Sequence, residues 1–87
     1  MQLDPEQMTV VTRRLKRAQG QLGGIVKMIE DGRDCKDVVT QLAAVNKALD
    51  RAGFALISIG MKQCLAADDC EDALDVETME KLFLSLA

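Results

Sequence analysis

With 87 residues, two Phe, no Trp, no Tyr and a formal net charge of −3, the chain has room for one small domain and the composition of helices rather than a sheet. Three cysteines with no CxxC motif and no histidine exclude a zinc finger and argue against a secreted disulfide scaffold, and no apolar run approaches the roughly 20 residues of a membrane-spanning helix. With no histidine, no recognisable base and nucleophile pair and no cofactor motif, an enzyme is not expected.

The first predicted helix begins at Asp4-Pro5-Glu6, with Asp4 as N-cap, Pro5 at the first helical position and Glu6 beside the positive helix end. From there Met8, Val11, Leu15, Ala18, Leu22, Ile25 and Ile29 recur three and four residues apart, the pattern of one continuous buried seam. Glu30-Asp31-Gly32-Arg33-Asp34 ends the helix, with Gly32 at the left-handed C-cap position and Asp34 as the next N-cap. The second helix carries a seam of Val38, Leu42, Val45, Leu49, Ala52, Leu56 and Ile59 at the same spacing. It is too long for an isolated globule of this size, and a helix that overhangs its partner needs another chain to cover it. Gly53 and Gly60 inside it point to close helix approach or local flexibility. A polar connection over 67–72 leads to a short third helix marked by Val76, Met79, Leu82, Phe83 and Leu86. The reading is an all-α fold in a single domain spanning 1–87, with helices at about 5–31, 35–67 and 74–86.

The charge is unevenly spread. Residues 1–62 carry ten Lys or Arg against seven Asp or Glu, whereas residues 63–87 carry one against seven. Nucleic-acid affinity follows local patches rather than the sum, and Arg13, Arg14, Lys16 and Arg17 form one. Arg14, Arg17 and Gln21 share one face of the first helix, while Leu15, Ala18 and Leu22 face inward. Arg and Gln suit phosphate and base-edge contacts, and the plain alternative is a solvated charged face. No helix-turn-helix is evident, so backbone contact and DNA shape are the expected mode of reading.

Cys35 and Cys64 mark the two ends of the second helix. A helical rise of roughly 1.5 Å per residue puts them about 43 Å apart in one chain, so they cannot meet there. A second copy packed antiparallel and centred near Leu49 and Asp50 brings Cys35 of one chain level with Cys64 of the other, giving two symmetric thiol pairs. Cys35 lies in the first helical turn, between Arg33 and Lys36 but also near Asp34 and Asp37. Cys64 has Lys62 nearby and is expected to take the resolving role. Plain packing is the alternative for both, and Cys70, in an acidic stretch, is expected to be a bystander.

Arg14-Leu15-Lys16-Arg17-Ala18-Gln19-Gly20-Gln21-Leu22, followed by Gly24-Ile25, Met28-Ile29, Asp34-Cys35 and Gln41, resembles the copper-sensitive operon repressor family along nearly the whole chain. The resemblance implies an antiparallel bundle dimer, a dimer-of-dimers tetramer, and repression by binding operator DNA until an inducer arrives. The DNA contacts expected from the first helix, Arg14, Lys16, Arg17 and Gln21, are extended by Arg51, which matches a basic position of the family. Copper-sensing members require Cys where Cys35 and Cys64 stand and His where Gly60 stands, so here the middle ligand is missing. Two cysteines without that His are similar to the persulfide-sensing branch, the sulfurtransferase-operon repressors, which also has a segment like Asp34-Cys35-Lys36-Asp37-Val38.

The sequence therefore leads to the expectation of a cytoplasmic homotetrameric repressor with no resident cofactor. It is expected to be released from operator DNA when polysulfide or a small persulfide modifies or bridges Cys35 and the partner's Cys64. Two alternatives stay open. One is a Cu(I)-responsive repressor using Cys35, Cys64 and Cys70, and the other is a structural helical module that binds a protein partner.

Overall fold

A computed structural model describes residues 3–66 and 73–86. They form three helices: α1 over Thr9–Glu30, α2 over Cys35–Ala66 and α3 over Ala73–Leu86. The acidic connection with Cys70 lies outside the described residues.

The expected start of α1 at Pro5 is corrected by a full turn. Asp4 does cap, its Oδ1 accepting the Glu6 N–H at 3.0 Å, and its main-chain oxygen accepts the N–H groups of Gln7 and Met8. This makes a separate capped turn, because Met8 has φ −95° and ψ 8°, off the helical values, and regular α-helix begins only at Thr9. The other end matches the sequence reading closely. Gly32 takes φ +72°, its N–H donates to the Ile29 carbonyl, and the Arg33 N–H donates to the Met28 carbonyl. That double hydrogen bond satisfies two orphan carbonyls of α1 and turns the chain directly into α2. The Val38 N–H then donates to the Asp34 carbonyl as α2 opens.

α2 is the central element: α1 packs on one side of it and α3 on another, with no α1–α3 packing among the described residues. The α1–α2 core holds Ala18, Ile25 and Val45, with Val38 packed against it, while Val11 and Ala52 are equally buried. These residues recur every seven. The expected continuous seam is therefore only half buried: Val11 and Ala18 are 2% exposed, whereas Leu15 and Leu22 between and beyond them are 41% and 40% exposed. Leu42 and Leu49 on α2 are likewise open. One facing helix covers only a narrow stripe, so the flanking row of the seam is left for something else to cover. The molecule measures 52 × 25 × 14 Å, barely more than one helix thick.

α3 closes on α2 through Phe54 and Phe83, whose ring centroids are 4.9 Å apart. Gly53 permits this approach, since a Cβ there would come within 2.8 Å of Leu86 Cδ1. Of the two roles expected for this glycine, close approach is the one observed.

Candidate functional site

Arg14, Arg17 and Gln21 of α1 and Arg51 of α2 line one groove of about 300 Å³, floored by Ala48. Four of the five expected DNA-contacting residues are thus brought together by the hairpin, from positions 30 or more apart in sequence for Arg51 and its α1 neighbours. The ion pairs among the described residues are Arg33–Asp37 and Lys81–Glu77, so no described carboxylate neutralises the three groove arginines. An open, unneutralised cluster of guanidinium groups beside an amide is suited to a polyanion. Lys16 does not join them. It lines a second groove of about 340 Å³ with Pro5, Thr9, Thr12 and Arg13, on another flank of α1. Arg13, part of the patch but not singled out as a contact, belongs with Lys16 on the same exposed surface.

The thiols are arranged by α2. It runs unbroken through 32 residues, so Cys35 at its first position and Cys64 near its end are separated by a helical rise of about 43 Å. Cys35 is a free, exposed thiol. The two-sulfur, one-nitrogen set of the resembled copper-sensing members does not fit: the chain has no histidine, and Gly60, at the middle position, is buried and covered by Leu3. Among the described residues no three His, Cys, Asp or Glu side chains converge as a metal site.

A second feature had no signal in the sequence. The Asp4 main-chain N–H donates to Gln63 Oε1 at 3.1 Å, across 59 residues. Asp4 reads in the sequence only as a local cap and Gln63 as an ordinary helix position, and only the closed fold brings them together.

The model of the metal-sensitive transcriptional repressor family matches residues 7–85. The chain belongs to this family. Its members are repressors of transcription rather than enzymes. Among curated relatives, the copper-sensing transcriptional repressor CsoR of Mycobacterium ulcerans (strain Agy99) is 41% identical over 54 residues, 62% of this chain and 46% of that protein. The copper-sensing repressor RicR of Mycobacterium tuberculosis (strain ATCC 25618 / H37Rv) is 40% identical over 53 residues, 61% of this chain and 55% of the relative. CsoR of Bacillus subtilis (strain 168) is 38% identical over 56 residues, 64% and 55% of the two chains. This chain thus spans about half the length of the curated relatives it matches. All three are named as copper sensors, where the sequence reading expected the persulfide branch. No solved structure matches it.

Proposed function

We propose that this chain is a single-domain repressor that grips operator DNA with the Arg14, Arg17, Gln21 and Arg51 groove, assisted by Lys16, and that Cys35 with the partner's Cys64 forms its inducer-reading pair. The observation that carries the DNA reading is the convergence of three arginines, none paired with a described carboxylate, and a glutamine from two helices in one groove, in a chain of the repressor family. The apolar flank left open beside that hairpin supports assembly into a dimer and then a dimer-of-dimers tetramer, which multiplies the basic surface. The setting is cytoplasmic, where thiols stay reduced until challenged.

For the inducer, the missing nitrogen donor favours sulfur chemistry. A Cys35 thiolate attacks polysulfide and takes up one sulfane sulfur, and a polysulfide shorter by one sulfur leaves. The partner's Cys64 thiolate then attacks the sulfur atom of Cys35 itself, forming a disulfide between chains and expelling sulfide. The two thiolates lose two electrons and the sulfane sulfur gains them. A Cu(I) inducer is the second reading, favoured by the copper-sensing names of the relatives. Cu(I) accepts thiolates alone, so Cys35 and the partner's Cys64, with or without Cys70, would suffice to hold it.

The test is fluorescence anisotropy on DNA preceding the chain's own coding region, with inorganic polysulfide and Cu(I) as separate arms. Salt-dependent binding lost on treatment with polysulfide but not with Cu(I) supports the sulfur reading. The reverse selects copper, and no DNA binding at any salt leaves the structural-module reading.

A further inference from the structure

Residues 3–8 do not trail away from α1 but reach back across the carboxy-terminal half of α2. Leu3 Cδ2 stands 3.5 Å from where a Gly60 Cβ would be, over a buried glycine, and the Asp4 amide is tied to Gln63. Gln63 immediately precedes Cys64. In the other direction, Asp4 holds Glu6, Gln7 and Met8 through the capped turn, and Met8 is buried at the head of α1. The first three turns of α1 carry Arg13, Arg14 and Arg17. One hydrogen bond therefore joins the Cys64 end of α2 to the start of the helix that lines the basic groove.

With Oε1 accepting from Asp4, the Gln63 amide orientation is set, and its Nε2 is buried with no partner among the described residues. A buried donor without an acceptor weakens the arrangement that holds it, and loosening the strap lets the amide regain partners in water. The contact between residues 3–4 and this end of α2 rests on that one hydrogen bond and on the Leu3 approach to Gly60.

Building on the repressor reading above, we propose that the Leu3–Asp4 strap, held by Gln63, keeps α1 in its DNA-competent pose, and that a change at Cys64 reaches α1 by loosening this strap. Gln63 is a positioning residue in this scheme, acting through Asp4 on a helix whose arginines make the contacts.

Anisotropy on the same DNA, with full-length wild type, Gln63→Leu and Gln63→Glu before and after inorganic polysulfide or Cu(I), tests it. Loss of one net neutral hydrogen bond predicts that untreated Gln63→Leu binds about fivefold more weakly. The remaining effect of the inducer should shrink by the same factor, because the strap is already loose. Gln63→Glu keeps an oxygen acceptor for the Asp4 amide and should restore wild-type binding. If Gln63→Leu loses helicity, Leu3→Ala decides, with the same two expectations. Weakened binding with an undiminished inducer effect would reduce Gln63 to a structural role and overturn the proposal, as would wild-type behaviour of both variants. A wild-type chain that neither binds this DNA nor responds to either reagent overturns the repressor reading itself, before any variant is compared.

Discussion

Glycines show how the same residue type does different work along this chain. Gly24 lies on an exposed part of α1 where a Cβ would meet nothing within 4 Å, so Gly24→Ala should stabilise the fold by about 1 kcal/mol through helix propensity alone. At Gly53 the same change pushes a Cβ to 2.8 Å from Leu86 Cδ1, and the gain should be smaller or reversed. Gly32 is different again: its φ of +72° makes Gly32→Ala cost about 1 kcal/mol or more. Thermal unfolding of the three variants should rank them Gly24→Ala, Gly53→Ala, Gly32→Ala from most to least stable. Equal gains at 24 and 53 would contradict the close approach of α3 to α2.

At the scale of elements, the α1–α2 hairpin builds the basic groove, so its contributions should be separable from stability. Arg14→Ala and Arg51→Ala are exposed changes that should leave melting within about 0.5 kcal/mol of wild type. Each should weaken DNA binding and lower the slope of log affinity against log salt by about 1. A slope unchanged by both would remove the groove from the interface. Much of the hairpin is legible in the sequence, because Gly32 as C-cap, Asp34 at the N-cap position and the apolar spacing act locally, and local rules decide where a helix stops. Periodicity marks every apolar residue on a face but not how many neighbours exist to cover it, so Leu15, Leu22, Leu42 and Leu49 read as core and stand open in the protomer. The groove was half legible, with Arg14, Arg17 and Gln21 grouped by helical spacing, while Lys16 parted from them because a 200° turn from Arg14 carries it to another flank. The Asp4–Gln63 tie had no local signal to read.

The whole molecule is a layer 14 Å thick with an apolar row along one flank of its hairpin, the face that the proposed dimer would cover. Leu49→Lys puts a charge in the middle of that row and should shift the assembly toward smaller species in sedimentation velocity while retaining helicity; an unchanged sedimentation coefficient would place the contact elsewhere. In the proposed assembly a second copy of the chain would also bring the thiols together, since α2 holds its own Cys35 and Cys64 about 43 Å apart. The decisive measurement is therefore one of complementation, made in a Cys70→Ser background. Cys35→Ser and Cys64→Ser chains are treated with polysulfide separately and after mixing, then resolved by intact mass and peptide mapping. The account predicts a Cys35–Cys64 link between chains in the mixture and none in either variant alone. A mixture that stays unlinked, while the unsubstituted thiol pair in one chain links to itself, would contradict it.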